Sequence, residues 1–409
     1  MSSVLLATTK AQVSGHKFLT RRVEHGVVLG DIRMISDPLG ARRRAALFGL
    51  IGTAIIAAGS GALAIFAPQV DPGDANIVRA ESGGMYVRLP AEQEAVLHPV
   101  ANLASARLIL GSPEEAAKAS DSVLGDAPKG VPVGIPDAPG IIAPHPQPAH
   151  DWSASHSGGA VTVVAGQAPP ALIDGHGVLA RSDGRTWVIT AFGRAELPAE
   201  DSPLGRSLRR RLGITPDTPI WEPPAAVLSA VTELPPYREI AGTLLVGKDE
   251  YWLEQPKGLV PLSELQYRIG LDLGLEHREL AASELSSFPD SVRSVAELPV
   301  SPVQWQRPEH VWVRGDGKIA LAAAPPAGIQ LSGDSAAHAY SGPTIGGIGV
   351  DTGHGTVIVT EHGRVHRVAT PVDAAALGIV EPQSAPWAIL SLLPEGAPLS
   401  HKDALRPTY

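Results

Sequence analysis

The stretch from Ala45 to Ala67, AALFGLIGTAIIAAGSGALAIFA, carries no charged side chain and follows directly on Arg42, Arg43 and Arg44. As a helix it extends about 35 Å at ~1.5 Å per residue, enough to cross a ~30 Å hydrocarbon layer with some tilt. A cleaved signal peptide would lie nearer residue 1, have a shorter apolar core and end in a small-residue cleavage site. A helix buried in a globular core would show a polar face within every two turns. Neither pattern is present, so the stretch is read as a membrane span. Lys10, Lys17, Arg21, Arg22, Arg33 and the arginine triplet precede it, whereas Asp71 and Asp74 follow it. The positive-inside bias then puts residues 1–44 in the cytoplasm and residues 68–409 beyond the membrane. Along the span, small residues recur every fourth position at Ala45, Gly49, Thr53, Ala57 and Gly61. Gly49, Thr53, Ala57 and Gly61 are therefore the expected surface for packing another transmembrane helix.

The chain beyond the span is long enough for one large or two modest domains, and 44% apolar with 18% charged residues is ordinary material for folding. A net charge of -9 argues against a dedicated nucleic-acid binder, because the basic residues that cluster are explained by the membrane edge. Cysteine is absent, which removes disulfides, thiol chemistry and Cys-ligated metals. The 38 prolines and 43 glycines predict short elements joined by turns.

Residues 1–12 read as unstructured. From Ser14, an acceptable N-cap, the pattern predicts an amphipathic helix that puts Leu19, Val23 and Val27 on one side, ended by Asp37-Pro38. Its mixture of acidic and basic residues favours docking on a cytoplasmic partner through Leu19, Arg22, Val23 and Val27 over lying on the lipid surface. The run QVSGHKFLTRRVEHGVVLGDIRMISDPLGARRRAALFGLIGTAIIAAG, with its QVSG, RRVEH and DIRM blocks followed by DP, basic residues and the span, resembles the N-terminus of the EccB family. EccB proteins are membrane-anchored core components of the actinobacterial type VII secretion system. The resemblance implies a single-pass inner-membrane protein whose periplasmic domain is built from repeats around a central portion. It also implies partners: the motor ATPase and channel-forming components EccC, EccD and EccE, further copies of the same chain, and the inner membrane. Family members usually carry a cysteine pair in the periplasmic domain, and this chain has none.

Beyond the span, four stretches share a grammar of strand, glycine-containing turn, strand and a short helix closed by glycine, near residues 84–111, 183–213, 248–274 and 354–378. In the second, Ser202 caps a helix with Pro203 at its first position and Gly213 as the stop; in the fourth, Thr370, Pro371 and Gly378 play the same parts. The third closes at Gly274, and the first enters its helix near Pro99 and leaves at Gly111. Residues 126–150, dense in proline, read as an extended loop or linker. Residues 291–350 contain strand signals of their own and read as the central portion. The tail from Pro382, with Trp387 and AILSLLP, is expected to pack back on the domain.

Three motifs invite a catalytic reading. GTLLVGK, Gly242 to Lys248, matches the first seven positions of a phosphate-binding loop, but Asp249 stands where Ser or Thr must hold magnesium and Leu244-Leu245-Val246 reads as a strand. Asp351-Thr352-Gly353 has the form of the aspartic protease triplet, yet a single copy needs a symmetric dimer, and a β-turn after IGGIGV accounts for it. His354, His362 and His366 with Glu361 are potential zinc ligands, outweighed by a reading as solvated strand histidines. The seven tryptophans fall largely in strand-like runs and are expected in cores.

The chain is thus read as α+β: an N-terminal amphipathic helix, one transmembrane helix, and an elongated extracytoplasmic domain of four degenerate ββα-type repeats around a central β-rich portion. Its expected role is a structural subunit of a type VII secretion complex. No catalytic residue, metal or cofactor is assigned, and Lys248 is the one partial match to a nucleotide contact. The alternative is a membrane-anchored extracytoplasmic hydrolase, either an ATPase, as sometimes ascribed to the family, or a dimeric protease using Asp351.

Overall fold

The computed structural model describes residues 9–65, 70–90, 96–143, 150–166, 168–248, 250–256, 258–285, 287–289, 298–343 and 346–408. The chain divides into two units, Met1–Val70 and Asp71–Tyr409.

In the first unit, helix Lys10–Leu29 starts earlier than its Ser14 cap predicted, because Thr9 and Gln12 form a capping box. Residues 10–12, expected to be unstructured, are its first turn. The helix ends at Gly30, whose φ of 65° is the left-handed geometry that glycine adopts without a Cβ penalty. Asp37-Pro38 therefore does not terminate this helix. It opens the next one, Pro38–Ile65, with the Asp37 carboxylate accepting the Gly40 amide at 2.7 Å and proline at the first position, where its missing N–H costs nothing. The arginine triplet is thus helical as well. Ala67 lies outside the described residues.

The second unit contains four sheets of one design. In the first, strands Ile77–Ala80, Met85–Val87 and His98–Pro99 run antiparallel in succession, helix Leu103–Leu110 follows, and Ala117–Ala119 returns parallel to the first strand. The same sequence of elements recurs with His176–Ser182, Arg185–Thr190, Gly193–Glu196, helix Pro203–Arg211 and Ile220–Trp221. It recurs with Thr243–Val246, Tyr251–Gln255, Gly258–Leu262, helix Glu264–Asp272 and His277–Glu279. The last copy is Ile348–Asp351, Thr356–Val359, Val365–Arg367, helix Pro371–Leu377 and Gln383–Ser384. In all four the spatial order is third, second, first, fourth strand. The unit is accordingly βββαβ where the sequence suggested ββα. The extra strands are two to four residues long in most copies, too short for a period-two pattern to register.

Local chemistry explains the helices. Asn102, Ser202, Ser263 and Thr370 each accept an amide three residues on, and Gly111, Gly213, Gly274 and Gly378 close the four helices with φ between 68° and 88°. The first helix begins at Leu103, not near Pro99.

The central portion departs from expectation in its origin. A six-stranded sheet places Ile319–Leu321, His310–Arg314, Asp151–Ser157, Ala160–Gly166, Ala339–Ser341 and Ile329–Gln330 side by side in that order. The two longest strands come from residues 151–166, outside the 291–350 segment, while IGV within IGGIGV belongs to the fourth copy's sheet. Gln304–Trp305 joins the second copy's sheet beside His176 and Gly177. Residues 291–297 lie outside the described residues.

Packing pairs the copies. The first and fourth helices share a core containing Leu103, Leu108, Ile109, Ala374 and Leu377. The second and third share another, containing Leu204, Leu208, Leu265 and Ile269. In each pair an arginine spans the joint. Arg107 donates to the Leu377 carbonyl at 3.2 Å, and Arg211 makes a two-point contact with Asp272 at 2.6 and 2.8 Å. That contact, foremost, holds the Asp272 carboxyl below the usual carboxylate range. The proline-dense segment is no free linker. Val133, Ile135, Ala138 and Ile142 are buried in the first–fourth core, and Asn102 and Ser105 bond the Ile135 backbone. Pro144, Pro146 and Pro148 lie outside the described residues. The tail packs back as expected, with Ile389, Leu390, Leu392 and Leu393 in the central core.

One internal correspondence escaped the sequence reading. His98-Pro-Val-Ala-Asn and His366-Arg-Val-Ala-Thr occupy the same third-strand-to-cap position, and each is crossed by a Gly-x-Pro strap, Gly130-Val-Pro and Gly396-Ala-Pro. Each imidazole Nδ1 bonds a strap carbonyl, Val131 at 3.0 Å and Ala397 at 2.9 Å, and lies against the bare Cα of Gly130 or Gly396.

Candidate functional site

The helix Lys10–Leu29 leaves Phe18, Leu19, Val23, Val27 and Val28 exposed, so the predicted docking stripe of Leu19, Val23 and Val27 is open. The Arg22 Nε donates to the Ile32 carbonyl at 3.0 Å and ties the following loop to the helix. On the same helix His25 is 3% exposed and bonds Asp37 at 2.9 Å, which fixes the angle at which the next helix starts. The Gly40 amide first, and then His25, hold the Asp37 carboxyl below its ordinary range.

Helix Pro38–Leu63 is long and apolar enough to cross a membrane. Gly49, Thr53, Ala57 and Gly61 are exposed, and a Cβ built at Gly49 or Gly61 meets nothing within 4 Å. The Thr53 hydroxyl donates to the Gly49 carbonyl at 2.9 Å, so the one polar group in the stripe is satisfied inside its own helix.

The catalytic temptations resolve into structure. Leu244, Leu245 and Val246 form the first strand of the third copy, and Gly247 bonds Glu250 in the turn to the next strand. Lys248 is exposed in that turn and is followed by a strand, whereas a phosphate-binding loop runs into a helix whose N-terminus faces the phosphates. Asp249 lies outside the described residues. Asp351 ends a strand and accepts the Gly353 amide at 2.9 Å, while Thr352 bonds Gly355 twice, so DTG is the hairpin turn into Thr356–Val359.

Two of the histidines depart from the solvated strand positions expected of them. His362 is exposed in the turn before Val365–Arg367, not on a strand, and His366 is fully buried rather than solvated. Burial pushes the His366 pKa down. Among the described residues no group of His, Asp or Glu has metal-holding geometry. Trp152, Trp187, Trp221 and Trp312 are buried as expected, whereas Trp252, Trp305 and Trp387 are half-buried. The Trp221 Nε1 donates to His156 at 2.9 Å.

One helix fit to cross a membrane, set before a β-rich α+β domain with a recurring sheet, defines the class of this molecule. Within that class the chain belongs to the EccB family: the family model for type VII secretion system ESX-1, transport TM domain B, matches residues 5–242 and 278–408. It is 29% identical to ESX-1 secretion system ATPase EccB1 of Mycobacterium tuberculosis, an alignment covering 98% of this chain and 95% of that protein. It is also 29% identical to ESX-3 secretion system ATPase EccB3 of Mycolicibacterium smegmatis, covering 97% and 90%. Its fold matches a chain of an intact ESX-5 inner membrane complex, with a TM-score of 0.65, 24% identity and coverage of 100% and 97%. The EccB3 dimer from the ESX-3 core complex matches with a TM-score of 0.67 and 22% identity, covering 81% of this chain and 100% of that one.

Proposed function

We propose that this chain is a structural subunit of a type VII secretion complex in the inner membrane. Residues 1–44 face the cytoplasm, 45–67 form the span, and 68–409 form a periplasmic domain of four repeats, each βββαβ, around a sheet assembled from two distant segments. The observation that supports this best is the family match, which starts at residue 5, runs through both N-terminal helices to residue 242 and resumes over residues 278–408. Its partners in this reading are EccC, EccD, EccE and further copies of itself, in keeping with the complexes and the dimer in which its structural relatives were solved. The exposed stripe of Leu19, Val23 and Val27, with Arg22 beside it, docks the cytoplasmic part of the machine. The stripe of Gly49, Thr53, Ala57 and Gly61 packs a neighbouring transmembrane helix.

The test is gentle detergent extraction of the full chain through a C-terminal tag. A large complex is expected, and the double change Val23→Glu, Val27→Glu should cut its recovery about tenfold or more, as when charges are buried at an interface centre. A lone monomer with hydrolytic activity would overturn the reading. The relatives' names contain the word ATPase, and that alternative meets its own test in Lys248→Ala and Asp351→Ala. Lys248 is exposed in a turn and Asp351 is exposed at the end of a strand, and export should stay within about twofold of the parent with either change. A loss of export with Lys248→Ala would move the function to nucleotide chemistry.

A further inference from the structure

Between the first helix and the start of the apolar helix lies a cleft of about 840 Å³, lined on one side by Arg21 and on the other by Arg43 and Arg44. Its acidic members are Glu24 and Asp37, and Asp37 is already engaged by Arg21 at 3.8 Å, by His25 and by the Gly40 amide. The Gly40 amide being spent on Asp37, the helix N-terminus itself is not what an anion would meet. Arg44 spends only its Nε, on the Gly40 carbonyl at 3.2 Å, which leaves its terminal nitrogens free to bind another group. The Arg43 side chain has no hydrogen bond or ion pair among the described residues. Leu39 and Leu47 line the same cleft, and Leu47 lies in the uncharged stretch that follows the arginines.

We infer that this cleft is a binding site for the phosphate of an anionic glycerophospholipid of the inner leaflet, with Arg43 and Arg44 as its principal contacts and Leu47 against the first acyl carbons. The inference rests on the reading of Pro38–Leu63 as a span with its N-terminal end at the cytoplasmic surface. Two features select a lipid over a soluble phosphate. The arginines stand at the junction between charged and uncharged sequence, at the depth of headgroups, and the cleft combines guanidinium with aliphatic lining. Arg42 does not line the cleft, and at about 100° per residue it stands roughly 200° round the helix from Arg44. That makes it the internal control. A diffuse attraction to the surface depends on all three arginines alike, whereas a site depends on two.

The experiment uses the full-length protein, reconstituted in nanodiscs of mixed phosphatidylcholine and phosphatidylglycerol and released into mild detergent. The phosphatidylglycerol retained per protein is then counted by native mass spectrometry. The parent should retain phosphatidylglycerol over phosphatidylcholine, and Arg43→Gln and Arg44→Gln should each lower that retention about fivefold or more, with Arg42→Gln within about twofold, given the worth of one arginine near an anionic surface. Excess inorganic phosphate should leave retention unchanged. Equal losses for the three variants, or no preference in the parent, overturn the site while leaving the span intact. Displacement by inorganic phosphate also overturns it, in favour of a soluble anion. Extraction of the protein from vesicles by carbonate would overturn the span and the site together.

Discussion

Replacing Leu377 by alanine is expected to lower the stability of the Asp71–Tyr409 unit by roughly 2–5 kcal/mol, the range for deleting a leucine from a core that cannot collapse. Leu377 is fully buried where the fourth copy's helix meets the first, and the Leu377 carbonyl receives the Arg107 guanidinium at 3.2 Å. Its contacts therefore join segments that lie 270 residues apart in the chain. The comparison is Val372→Ala on the same helix, 73% exposed, which should change stability by no more than about 0.5 kcal/mol. Chemical denaturation of the full chain in detergent measures both. Similar small effects would mean that the first and fourth copies do not share a core.

The second large effect is expected at a glycine. A Cβ built at Gly396 comes within 2.2 Å of the His366 ring, and the ring is enclosed, so Gly396→Ala should cost roughly 1–3 kcal/mol by overpacking. His366→Ala alone also destabilises, by leaving a cavity, but in the double variant the new methyl enters vacated space. The two costs should then fall short of additivity by about 0.5 kcal/mol or more. Additive losses would show that strap and ring do not touch. The same imidazole links stability to pH. Burial puts its folded pKa below the ordinary 6.5, so the unfolded chain takes up the proton first. The stability held by the neutral ring is complete above pH 6.5 and declines as pH falls from there towards the folded value. His366→Ala should flatten that decline in part, since burial shifts His150 and His156 the same way.

What was legible in the sequence is what neighbouring residues decide among themselves. The absence of charge from Ala45 to Ala67 is a statement about solvent, and no tertiary contact is needed to read it. Ser202-Pro203 and Thr370-Pro371 mark helix starts because the hydroxyl reaches an amide three residues away, and Gly213 and Gly378 mark ends because only glycine takes positive φ freely. The turn character of Asp351-Thr352-Gly353 was readable on the same grounds. The H-x-V-A pattern shared by His98 and His366 was present too, but its meaning depends on straps that lie some thirty residues further along.

Tertiary structure alone decided the rest. The returning strands Ala117–Ala119, Ile220–Trp221, His277–Glu279 and Gln383–Ser384 have too few residues to carry a pattern, and they are strands only because a sheet edge stands ready to pair with them. The central sheet unites residues 151–166 with 310–341, and the copies pair first with fourth and second with third. Local sequence is silent on such choices, because an apolar helix face or a strand edge specifies that it must be covered and leaves the covering partner to the geometry of the whole chain.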